Sequence, residues 1–373
     1  MRALPLAALA LCGWSAVAAL PADKHALTHR AAASLRLERL GAMTEERAAH
    51  QATLLPNGQV LITGGCARNG CRPFLRTTEL FDPVGRRFLP AQPMSIPRAS
   101  HTATLLRDGR VLVAGGCTIG GATASAEQYE PATGQWHNVG DMTTARCSHI
   151  AVPLDDGRVF VMGGGGGRLP DLATAEVFDP RTATFVPVGS MHENHYLATR
   201  LADGRVLLTG GQGRSGEILR SAEIFDPRSG TFQRTGDMAG PRVKHAAALL
   251  PDGRVLVIGG TATGYDARFS STEVYDPKTG RFAPGPSMRE GRYKITDAVA
   301  TMSSGAVLVG GGAATPEVYD PTRRAFVPIL GALDAAEMFA TATRLRTGEV
   351  LLLGGYDSHT QASSSAWLAT GGR

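Results

Sequence analysis

No stretch of this chain carries a sustained 3.6-residue apolar period, which excludes helical bundles and doubly wound α/β folds. Beyond the N-terminus no run approaches the roughly 20 apolar residues that a membrane-spanning helix needs, so no transmembrane segment is expected and the mature protein should be soluble. Charged residues make up only 19% of the sequence, and the basic ones are scattered rather than gathered in runs. A net charge of +5 spread in this way leaves no electrostatic footprint for nucleic acid. No Cys-x-x-Cys spacing occurs, which speaks against a cysteine-held metal.

Glycine and proline are abundant instead, at 46 and 22 residues, with Val, Leu and Thr recurring in short runs. That combination describes many short strands joined by tight turns, an all-β chain. Its 373 residues exceed what one hydrophobic core usually serves, leaving several domains or one large repeat architecture.

The N-terminus reads as a targeting segment. Arg2 supplies a positive start, Ala3 to Leu11 an apolar run, and Ala16-Val17-Ala18 a small-residue cleavage site, the pattern of a secretory signal peptide over residues 1–18. Residues 19–34 then form a linker, and an exported protein, periplasmic or extracellular, is expected. Lipidation at Cys12 is the alternative, weakened by Leu11 where a small residue is wanted.

Internal repetition decides the fold. The strings NGQVLITGG, DGRVLVAGG, DGRVFVMGG, DGRVLLTGG, DGRVLVIGG, SGAVLVGGG and TGEVLLLGG recur at intervals of 43 to 52 residues. Between them come ELFDP, EQYEP, EVFDP, EIFDP and two copies of EVYDP, each followed by a turn and an aromatic: Phe88, Trp136, Phe185, Phe232, Phe282 and Phe326. The double glycine, the Tyr-Asp-Pro-like strand and the later aromatic, recurring in this order over nearly the whole mature chain, resemble the kelch repeats of β-propellers. The resemblance implies four-stranded blades over residues 35–373, seven in number, with six as the alternative. The seventh repeat lacks its last strand, and Leu35 to Met43 matches that strand, so the N-terminus should close the ring. Four cysteines beyond the N-terminal segment allow three pairings in an oxidising compartment, of which this arrangement favours Cys66 with Cys71 and Cys117 with Cys147 on the adjacent blade.

Residues present in every repeat are read as architectural. Such are the glutamates that open each third strand (Glu79, Glu127, Glu176, Glu223, Glu273 and Glu317), the methionines before each first strand, and His50, His101, His149 and His245. Arg47, Arg98, Arg146 and Arg242 precede those histidines by three residues, with Lys294 taking the place in blade six and Glu193 and Glu337 in blades four and seven. This register is expected either to ring one mouth of the channel and bind anions, or to pair with carboxylates and hold blades together. Departures from the pattern in blades four and six, with Arg242 and His245 of blade five between them, bring Glu193, His195, Tyr196, Arg242, His245, Lys294, Asp297 and Glu337 to one side of the expected mouth, a polar set suited to a hydroxylated or anionic small molecule.

Fold alone names no reaction, so the expectation is a monomeric binding scaffold for a protein or a carbohydrate, without a cofactor. A sugar mutarotase resembling the kelch-type sialic acid epimerase is the alternative. A copper oxidase resembling galactose oxidase would need two Tyr and two His, whereas the matching register reads Ala49, Ser100, Ser148, His195, Lys244, Thr296 and Phe339.

Overall fold

The computed structural model describes residues 35–68, 71–165, 172–213, 215–263 and 267–371. The expected signal peptide, the linker and Cys12 lie outside them. Seven four-stranded antiparallel sheets follow one another along the chain as the blades of a propeller. Blade one consists of Gln51–Leu54, Val60–Thr63, Thr78–Asp82 and Arg87–Ala91. The first strands contact one another in succession around the axis, and Thr341–Arg344 of blade seven meets Gln51–Leu54, completing the ring.

Closure is made by the N-terminus, as the repeat count implied. Arg36–Arg39 pairs antiparallel with Ala366–Thr370, from Arg36 opposite Thr370 to Arg39 opposite Trp367, and so supplies the fourth strand of blade seven. Leu37 N also donates to Leu330 O of blade six at 2.8 Å. An edge that would otherwise lie open is thereby paired.

The second strand of each blade is buried and almost wholly apolar because both of its faces are covered. In blade three, Val159 and Val161 pack toward blade two, against Leu112 and Ala114. Phe160 and Met162 point the other way, against Val206 and Leu208 of blade four. The core is thus a set of layers between blades, and in blades one to six the outer wedge is filled by an aromatic pair such as Phe178 and Phe185, with centroids 4.9 Å apart.

The double glycine ends the second strand for a steric reason. Gly64 has φ +53°, and a Cβ there would lie 2.4 Å from the Arg98 carbonyl oxygen of the next blade. Both expected disulfides are present: Cys66–Cys71, with Cα atoms 4.8 Å apart, and Cys117–Cys147, at 5.0 Å, which staples blade two to the approach of blade three.

Candidate functional site

The arginine register is built into the wall of the ring. Arg47, Arg98 and Arg146 are fully buried and Arg242 nearly so, reaching Glu79, Glu127, Glu176 and Glu273 at 2.7 to 3.1 Å. Each guanidinium also donates to the first carbonyl of its double glycine, as Arg47 Nη1 does to Gly64 O at 2.8 Å. The backbone of the same arginine is bonded to the preceding blade: Gly355 N donates to Arg47 O at 2.8 Å. One residue therefore clamps two blades, and its glutamate is satisfied further by a backbone N–H such as that of Thr44.

The histidines serve the same joints. Nε2 of His50, His101, His149 and His245 meets a threonine hydroxyl of the preceding blade, Thr341, Thr63, Thr102 and Thr209, at 2.8 to 3.1 Å. Burial, reinforced by the neighbouring arginine, lowers His50, His149 and His245 to about 3, and His101 lies well below its ordinary value for the same causes.

Blade four solves the clamp differently. His195, fully buried, places Nδ1 2.9 Å from Gly210 O and Nε2 3.0 Å from Glu223, spanning the two groups that a guanidinium spans elsewhere. Both neighbours are acceptors, so each ring nitrogen faces a lone pair. His192 Nδ1 lies 2.8 Å from the other carboxylate oxygen. Burial alone would raise Glu223, but the hydrogen bonds from His195 and His192 overcome it and bring the pKa down to about 2. Glu193 accepts from Ser221 Oγ beside them, and Tyr196 is half-buried on the same strand, His195–Arg200.

In blade six the arginine's role falls to Arg292, correcting the assignment of Lys294. Arg292 is fully buried, 2.8 Å from Glu317 and 2.9 Å from Gly311 O. It stands 13 residues before the turn glycine, Gly305, where the other arginines stand 11. The two extra residues form the turn closed by Ala298 N to Ile295 O at 3.0 Å, so a count back from the glycine lands on Lys294. Lys294 in fact shares the left-handed φ, +49° to +56°, of Ala49, Ser100, Ser148, Lys244 and Phe339. These residues encircle the axis, linked by backbone bonds such as Lys294 N to Lys244 O and Phe339 N to Lys294 O, at 2.8 and 2.9 Å.

Here the mouth of the channel acquires a distinct chemistry. The chain holds only four lysines, and two of them, Lys244 and Lys294, occupy neighbouring places on this ring. Lys294 Nζ donates to the Tyr356 hydroxyl at 2.6 Å, and lies 5.0, 5.5 and 5.0 Å from the ring centroids of Tyr293, Phe339 and Tyr356. Arg268 stacks on Tyr293 at 5.0 Å. Burial, then the charges of Lys244 and Arg268, lower Lys294 to about 8, although the aromatic faces favour its charged form.

Asp297, at the tip of the blade-six turn, crosses toward blades one and seven. Gln51 Nε2 donates to its carboxylate at 3.2 Å, and Ala342 N to its carbonyl at 2.7 Å. It is open to solvent yet surrounded by protein, and desolvation raises its pKa against the Gln51 bond. Of the candidate set, then, Lys294 and Asp297 come to the axis, whereas His195, Arg242, His245 and Glu337 are buried in the wall. Tyr293, Tyr356 and Arg268 were not singled out, since Tyr356 and Arg268 sit in the loops after the double glycine, which vary from blade to blade. On the opposite face a cleft between blades three and four is lined by Asp156, Arg158, Asp203 and Arg205, which satisfy one another within their own turns at 2.7 and 2.8 Å.

The Kelch motif family model matches residues 98–143, 146–192 and 242–289. No curated protein matches the chain in sequence. Among solved structures, a fungal alcohol oxidase of the AA5 family in complex with copper is 17% identical at a TM-score of 0.71, over 91% of this chain and 76% of the oxidase. The structure of YjhT is 12% identical at 0.58, over 90% of this chain and 99% of its own. At such identities the likeness is one of fold. The residues here do not fit a copper centre: the ring offers alanine, serine, lysine and phenylalanine, His195 is locked between Gly210 and Glu223, and among the described residues no three His, Cys, Asp or Glu side chains converge as metal ligands.

Proposed function

We propose, on the premise that this chain is a kelch-repeat β-propeller, that it is an exported binding protein whose channel mouth over blades five to seven takes a carboxylated saccharide. The observation that carries the reading is Lys294 among Tyr293, Phe339 and Tyr356, with Lys244 and Arg268 as its charged neighbours. Aromatic faces pack on the apolar face of a sugar, and positive charges gathered at one mouth attract an anion. Two disulfides support an oxidising compartment and hence export.

The test is calorimetry with trigalacturonate, its methyl ester and an acidic peptide, in two buffers of different ionisation enthalpy at pH 8. An anion beside Lys294 raises its pKa, so the saccharide should bind with proton uptake, the ester should bind more weakly, and Lys294→Met should abolish the uptake. Preference for the peptide would move the reading to a protein ligand, and no binding by any of the three would remove it.

A second reading, sugar mutarotation, draws on Lys294 being pushed down and Asp297 up at the same mouth, a division that suits a base and an acid. Anomer exchange followed by NMR, with and without Asp297→Asn, separates it from simple binding.

A further inference from the structure

The clamp of the other blades has no counterpart in blade seven. Glu337 stands in the arginine's place, since Gly312 N donates to its carbonyl at 2.7 Å as Gly65 N does to that of Arg98 at 2.9 Å. Trp367 stands in the glutamate's place: it pairs with Leu352 as Glu79 pairs with Ile62. A cation and an anion have been exchanged for an acid and an indole. Glu337 is only 4% exposed. Its Oε2 and Trp367 Nε1 are buried without a hydrogen-bond partner, and both residues line one small cavity with Gly310, Gly354 and Ser365.

Among the described residues no charge favours ionisation of this carboxyl. Asp334 on its own approach segment and Asp357 on the following loop both disfavour ionisation, and only the Ser363 hydroxyl favours it. The basic groups nearby are engaged: Arg47 with Glu79, Arg292 with Glu317, Arg39 with Asp334 at 3.0 Å, and Lys294 with Tyr356, while the His359 ring lies 3.4 Å from Asp357. Burial is the largest cause that raises Glu337 to about 7. The segment leads directly to the mouth, because Met338 exchanges backbone bonds with Tyr356 at 2.9 and 2.8 Å and Phe339 comes next.

We infer that Glu337 is a pH-responsive latch of the closing blade: the neutral acid keeps the cavity shut, and ionisation loosens the segments that carry Phe339 and Tyr356. Its consequence for ligand binding rests on the proposed mouth site. In the step itself the carboxyl O–H bond breaks and the proton passes to water. Because the folded pKa is raised, the latch is fully closed below the ordinary 4.5 and opens as pH rises through about 7.

Carboxyl ¹³C NMR of the full mature chain should show Glu337 titrating near pH 7. A midpoint below 5.5 would overturn the inference without any mutant. Hydrogen exchange of residues 338–344 and 350–356, corrected for intrinsic rates, should accelerate at least ten-fold from pH 6 to pH 8, and Glu337→Gln should abolish that acceleration. Equal acceleration in the variant would also overturn it. Neither readout needs a ligand, so failure of saccharide binding would count against the mouth site alone.

Discussion

Arg292, two residues before Lys294, is the side chain that reaches Glu317, with Nη2 2.8 Å from Oε1 and both groups buried. Lys294 turns instead to the Tyr356 hydroxyl at 2.6 Å. Two basic residues of one short segment thus belong to the wall and to the mouth respectively.

Their substitutions should separate accordingly. Arg292→Ala leaves Glu317 buried without its charged partner and should cost about 3 to 5 kcal/mol in chemical denaturation. Lys294→Ala, at a half-buried place, should cost no more than about 1 kcal/mol. Arg242→Ala should behave like Arg292→Ala, because it removes the bond to Glu273. Equal losses at Lys294 and Arg292 would contradict the division.

The closing strand offers a second measurement. Removing residues 35–43 takes away the pairing with Ala366–Thr370 and the burial of Leu35 and Leu37, and it uncovers Leu352 and Trp367 of the cluster they share. At about 1.5 to 3 kcal/mol for each leucine, the loss should be roughly 3 to 6 kcal/mol. Unchanged denaturation of the truncated chain would show that closure is not needed.

Much of this fold was legible because repetition reports it many times over. A double glycine repeated seven times, with a strand-opening glutamate and an aromatic repeated six times, leaves little freedom in blade boundaries, and the incomplete last repeat pointed to Leu35 to Met43. The site was legible only in part. The reading of blade six assumed constant spacing, and two inserted residues displaced Lys294 and Asp297 from the places given them. In blade four the composition HENHY showed a departure, but not that His195 would fill a guanidinium's place. In blade seven nothing in the sequence pairs Glu337 with Trp367, since that relation exists only across the sheet register.

The disulfides should differ in their contribution. Non-reducing peptide mapping should recover Cys66 with Cys71 and Cys117 with Cys147. Loss of the second bond, with its sequence separation of 30, should cost roughly 3 to 4 kcal/mol by chain entropy, against about 2 for the first, with its separation of 5. Cys117→Ser with Cys147→Ser should therefore lower Tm more than the other paired substitution. The reverse order would place the stabilisation elsewhere.

Stability should depend on pH through two opposed sets of groups. His50, His149 and His245, near 3 when folded and 6.5 when unfolded, with His101 shifted the same way, bind protons more readily in the unfolded chain. Their contribution is present above pH 6.5 and is lost as pH falls toward 3. Glu337, near 7 when folded against 4.5, acts oppositely: its contribution is present below pH 4.5 and lost as pH rises through 7. Between pH 4.5 and 6.5 the two oppose each other, and four histidines outweigh one glutamate. Unfolding free energy should therefore climb from pH 4 to about 6.5 and rise little or not at all above it. Replacing His245 with Gln should flatten the acid limb while keeping a hydrogen bond available to Thr209. Glu337→Gln should steepen the rise between pH 5 and 7, because the opposing proton is removed. A profile unchanged by either substitution would mean that neither buried group titrates in the window its surroundings dictate.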